Sequence, residues 1–160
     1  MNERQHAYEV TVRWTGNLGS GTDSFRSYSR NHEVDTAGRP VILGSSDPGF
    51  RGDAARWNPE QLFLASVSQC HMLWYLHLAA LAGVVVSDYT DEATAVMVEE
   101  PSGAGQFTGM TLHPVVTITD EAGRVDAERL HHQAGAMCFI ARSVGFPIEH
   151  RATIRVDPSP

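Results

Sequence analysis

Basic charge is scarce in this chain: 12 Lys and Arg stand against 19 Asp and Glu, a net charge of −7 over 160 residues. That balance argues against nucleic acid or an anionic membrane as partner, since both need a basic surface. Cysteine is scarcer, with two residues and no Cys-x-x-Cys between them. Such usage favours free thiols or a transient catalytic pair over a structural staple. The chain opens on Met1-Asn2-Glu3-Arg4-Gln5-His6, which is polar and leads into no apolar core. No secretory leader is therefore expected, and the expected location is the cytoplasm. Linkers and low-complexity segments are missing too. With 42% hydrophobic and 19% charged residues, residues 1–160 are expected to form one globular domain.

Charge of either sign is absent from Gln61 to Val86. A run of about 20 apolar residues can cross a bilayer, but Ser66, Ser68, Gln69, His71 and His77 interrupt this one. It reads as a buried helix. Asn58 suits its cap, Pro59 its first position and Gln61 a box-like spacing with Asn58, while Gly83 is a natural stop.

Around that helix the pattern alternates. Tyr8–Trp14, Ser24–Val34 and Val41–Gly44 read as strands, and Tyr89–Val98 pairs with Met110–Thr119 about the loop Pro101–Gly105. A second helix is expected from Asp126 to Val144, ended by Gly145 and Pro147, then a last strand at Ala152–Val156. The order predicts an α+β fold. Apolar side chains surround nearly every face of the first helix, more than one small domain's sheet can wrap. An obligate homodimer burying the Leu62–Leu81 helices between subunits is expected.

Cys70 and Cys138 each fall mid-way along an expected helix. Taken alone, each is an ordinary small buried hydrophobe, and their spacing does not make a site. Their surroundings do more. Asn58-Pro59-Glu60-Gln61-Leu62, then Ala65-Ser66 and Ser68-Gln69-Cys70, resembles the first active-site helix of the OsmC/Ohr family, the osmotically inducible protein C and organic hydroperoxide resistance proteins. Cys138 on a later helix is the second point of likeness, and the resemblance runs from about Tyr8 to Val156. Ser29-Arg30-Asn31-His32 and Gly44-Ser45-Ser46-Asp47-Pro48 resemble a separate branch. Cys138-Phe139-Ile140-Ala141 departs from the best-known branches, where proline follows the cysteine and serine comes two residues on.

The resemblance implies antiparallel sheets with a long central helix, in an intertwined homodimer. It implies Cys70 as the peroxidatic cysteine and Cys138 as the resolving one. An organic hydroperoxide would be reduced to its alcohol through a Cys70 sulfenic acid and a Cys70–Cys138 disulfide. A dithiol reductant, lipoyl-linked in some members, would recycle the disulfide, with neither cofactor nor metal. An unperturbed thiol is mostly protonated at neutral pH, so a guanidinium is needed to favour thiolate and hold the leaving oxyanion. Arg51 is the first choice for it, in the loop before the helix, with Arg30 second and Arg26 third. Glu60 matches the family glutamate that pairs with the catalytic arginine. Ten residues of helix separate it from Cys70 by about 15 Å, so it acts through the arginine or belongs to the facing subunit's site.

Eight histidines invite a metal reading. Seven residues of helix hold Cys70 and His77 about 10 Å apart along the axis, and adjacent Cys70 and His71 diverge by about 100°. Metal is therefore not expected, and His131-His132 reads as an exposed helix face. Trp74 and His71 are candidates for contact with an apolar peroxide. Two alternatives remain open: hydrolysis or group transfer with Cys70 as nucleophile and His71 as helper, and a non-catalytic redox-sensing or ligand-binding protein of the same fold.

Overall fold

A computed structural model describes residues 4–157. The chain forms two compact units, residues 1–62 and 63–160. The first holds an antiparallel three-stranded sheet, β1 (Thr11–Trp14), β2 (His32–Asp35) and β3 (Ile42–Gly44), in that order. The strand expected over Ser24–Val34 is shorter than its pattern suggested. From Ser24 to Arg30 the side chains satisfy the backbone locally. Ser27 Oγ donates to the Ser24 and Gly21 carbonyls, and the Arg30 guanidinium to those of Phe25 and Tyr28. Such bonds compete with a ladder.

The helix α1 (Pro59–Leu81) begins as its sequence dictates. Asn58 Oδ1 accepts the Gln61 N–H at 2.7 Å, and Gln61 Oε1 accepts the Asn58 N–H at 3.3 Å, a reciprocal capping box. Asn58 is buried and also donates through Nδ2 to Asp47 Oδ2. Replacing Asn58 with Ala is expected to cost about 1–2 kcal/mol, read as a lowered urea midpoint. At the far end Gly83, at φ 74°, lets the Val84 N–H reach the Ala79 carbonyl at 2.9 Å.

The second unit pairs two mixed sheets with two helices. One has the order β4 (Val86–Asp91), β7 (Pro114–Ile118), β9 (Thr153–Val156); the other β5 (Thr94–Glu99), β6 (Gly105–Leu112), β8 (Ile148–His150). In each, the first pair is antiparallel and the last parallel. The two long expected strands are thus each broken in two. Pro114 has no N–H for the ladder, and opposite it Asp91 Oδ1 accepts the His113 N–H at 2.7 Å while Oδ2 accepts Ser68 Oγ at 2.5 Å.

Helix α1 buries Val67, His71, Tyr75 and Ala79, one stripe at four-residue spacing. Its first half packs with Met110 and Leu112 of β6; its second half packs with Val116 and Ile118 of β7 and with α2 (Arg124–Met137). Leu73 and Leu81 on its other faces are exposed, at 60% and 73%. No helix among the described residues is long and apolar enough to cross a membrane.

Helix α2 is shorter than expected. Apolar spacing continues through Ile140, Ala141 and Val144, yet the helix stops at Met137 and Cys138 turns extended, at ψ 113°. The Arg142 guanidinium donates to the Ala136 carbonyl at 3.2 Å, and the Arg142 N–H to the Cys138 carbonyl at 3.0 Å. A cation on the last-turn carbonyls satisfies groups that a continuing helix would have used. Cys138 is a helix terminus, not a mid-helix residue.

Candidate functional site

On α1, Cys70 and Trp74 are four residues apart and share a face. Facing them is the segment that leaves α2. The Trp74 ring meets Phe139 edge-on, with centroids 5.6 Å apart. Cys70 is half-buried, whereas Cys138 has no exposure, and both are free thiols. The extended turn at Cys138 orients its sulfur, and Sγ accepts the Ala141 N–H at 3.3 Å. Burial, with the Cys70 thiol against it, pushes the Cys138 thiol up to about 11. At neutral pH it is a protonated, shielded thiol near a more accessible one.

The arginines and Glu60 lie in the first unit. Arg30 is half-buried and stacks over Phe25 and Tyr28 at 4.4 and 4.2 Å, while both its terminal nitrogens serve loop carbonyls. Arg51 approaches the same Phe25 ring at 5.7 Å, and among the described residues its guanidinium makes no hydrogen bond or ion pair. Its backbone is left-handed, at φ 67°, a conformation that costs a non-glycine residue about 1 kcal/mol. The loop leaves it little choice. The Arg51 N–H reaches the Pro48 carbonyl, and a Cβ on neighbouring Gly52 would lie 1.5 Å from the Ser46 carbonyl oxygen. Arg26 is exposed. Glu60 Oε2 is buried without a hydrogen-bond partner.

His71 occupies the buried stripe of α1, not the thiol face. Its Nε2 meets His131 Nδ1 at 3.1 Å, with the two rings stacked nearly parallel. His131 in turn stacks on Tyr75 at 4.0 Å, and His150 lies 5.6 Å from His71 and 6.1 Å from His131. Burial lowers His71 to about 4 and His131 to about 3, with neighbouring histidines adding to the effect and Asp91 opposing it at His71. The reading of His131 as exposed is corrected: it is 1% exposed, and only His132 faces solvent. The spacing of Ala127, Leu130, His131 and Ala134 is that of an inward helix face, a signal that outweighs the polarity of one imidazole. Among the described residues no three His, Cys, Asp or Glu side chains group closely enough to hold a metal ion.

This architecture has known counterparts. The model of the OsmC-like protein family matches residues 52–152. An OsmC-like protein of unknown function from Vibrio cholerae is 30% identical, superposes with a TM-score of 0.83, and the match covers 93% of this chain and all of that one. An organic hydroperoxide resistance protein from Legionella pneumophila shares the fold at 20% identity, TM-score 0.66, with 95% and 100% of the two chains covered. OhrB of Bacillus subtilis, an organic hydroperoxide resistance protein, does so at 19%, TM-score 0.60, with 94% and 98% covered. No curated protein matches the sequence. With the family model spanning most of the chain, and a 30%-identical relative aligned over nearly its full length, this chain belongs to the OsmC-like protein family.

Proposed function

We propose that the protein is a thiol peroxidase that reduces organic hydroperoxides, with Cys70 as attacking thiol and Cys138 as resolving thiol. The observation that carries this reading is the meeting of a half-buried thiol and a fully buried one from distant parts of the chain. The Cys70 thiolate attacks the terminal peroxide oxygen, the O–O bond breaks, and the alkoxide leaves to be protonated as the alcohol. Cys70 becomes a sulfenic acid. The Cys138 sulfur then attacks it, its proton and the hydroxyl depart as water, and a Cys70–Cys138 disulfide forms. A dithiol, lipoyl-linked in this reading, reduces the disulfide, and the reducing cytoplasm is the compartment for that step.

Arg51 is assigned the guanidinium that favours the thiolate and steadies the alkoxide, in keeping with its uncommitted charge and left-handed backbone. Arg30, tied to loop carbonyls, is the lesser candidate. In this reading Glu60, whose Oε2 is buried without a hydrogen-bond partner, acts through the arginine or belongs to the facing subunit's site. The exposed Leu73, Leu81, Val12 and Ile42 make a homodimer the expected assembly. Trp74, beside the thiols, offers an apolar wall for the peroxide's organic group.

The test is to treat the reduced protein with one equivalent of cumene hydroperoxide and map its disulfides by mass spectrometry. A Cys70–Cys138 bond within seconds is expected in the wild type, and a trapped sulfenic acid at Cys70 in Cys138→Ser. Two unmodified thiols after that treatment would reject the reading.

A further inference from the structure

The face of α1 that carries His71 opens on a second feature, a pocket of about 390 Å³ lined by neither cysteine. Its apolar wall is Val67, Leu112, Phe146 and Ile148, and its polar lining includes His71, His132, His150 and Arg142. No carboxylate lines it, and Arg142 has no acidic partner among the described residues. Its volume lies at the small end of ordinary ligand sites.

The buried imidazoles favour one sense at the polar end. His71 Nε2 and His131 Nδ1 share one hydrogen bond, and His131 Nε2 is buried with no partner. If His71 donated, the neutral His131 would carry its proton on that orphaned nitrogen, a buried N–H with nothing to meet. Orphaned donors are rarer than orphaned acceptors. The favoured tautomer therefore has His131 Nδ1–H donating, which leaves the proton of His71 on Nδ1. That N–H has no partner among the described residues, and His71, at 2% exposure, lines the pocket.

We propose that this pocket binds a small organic carboxylate, its apolar body against Val67, Leu112, Phe146 and Ile148 and its carboxylate between the Arg142 guanidinium and His71 Nδ1–H. Cation, neutral donor and apolar floor together select a monoanion with a short hydrocarbon or aryl body. The pocket needs neither thiol, so the proposal stands apart from the peroxidase reading.

Gly135 supplies a clean variant. It sits on α2 at the pocket wall, and a Cβ built there meets no atom within 4 Å. Gly135→Leu therefore fills the pocket without a clash at its first carbon, and it replaces glycine by a better helix former. Calorimetric titration of the full chain with hexanoate and benzoate, beside hexanol and benzyl alcohol, tests the proposal. The carboxylates are expected to bind at least tenfold more tightly than the alcohols. Arg142→Gln is expected to erase that preference, and Gly135→Leu to abolish binding with the melting temperature kept or raised. Carboxylates binding no better than alcohols, or undiminished binding by a folded Gly135→Leu, would overturn it. So would no detectable heat at millimolar ligand.

Discussion

Replacing Cys70 with serine is expected to reduce hydroperoxide turnover by at least about three orders of magnitude, because the proposed nucleophile is gone. Cys138→Ser should behave differently. It is expected to complete one fast turnover, release one equivalent of alcohol, and then stall as a sulfenic acid until an external thiol resolves it. Arg51 adds a third signature. Arg51→Ala is expected to lower kcat/KM by about 10²–10³, the loss typical of one preorganised donor to a developing oxyanion. Arg51→Gly should lose as much activity while gaining up to about 1 kcal/mol in stability, since glycine relieves the left-handed backbone at φ 67°. Stopped-flow kinetics with urea unfolding separates these outcomes. Full activity in Arg51→Gly would remove Arg51 from the site, and a multiple-turnover Cys138→Ser without added thiol would remove Cys138.

The parts of this fold that could be read in advance are those set by neighbouring residues. Asn58, Pro59 and Gln61 announce the start of α1, because a capping box closes within one turn. Gly83 announces its end for the same reason. What the sequence concealed depends on partners far along the chain. His131 looks solvent-facing until His71, sixty residues away, supplies its hydrogen bond. The exit of α2 at Cys138 is hidden because apolar spacing runs on, and the deciding contact is a guanidinium on the Ala136 carbonyl. The break between β6 and β7 turns on the Asp91 carboxylate at the His113 N–H. The expectation that Cys70 and Cys138 act together came only through resemblance, since spacing along the chain carries no information about it.

Acid should unfold this protein through its histidines before its carboxylates dominate. His71 and His131 titrate at about 4 and about 3 in the folded chain, both below the ordinary value of 6.5, because burial penalises their charged forms. Below pH 6.5 the unfolded chain therefore binds protons that the native chain refuses, and stability must fall as pH falls. Their contribution is complete above about pH 6.5 and is lost down to the folded values. Each histidine costs about 1.4 kcal/mol per pH unit within that window, so the pair is expected to remove about 3–4 kcal/mol between pH 7 and 5. His150, also lowered by burial, acts in the same sense. Urea unfolding at both pH values measures the slope, and a His71→Phe/His131→Phe double variant supplies the control. Phenylalanine keeps a ring stacked on Tyr75 and has nothing to titrate. The double variant is expected to lose most of the pH dependence between 5 and 7. An unchanged slope would assign the acid sensitivity to other groups and show that the native chain already accommodates a charge on the imidazole pair.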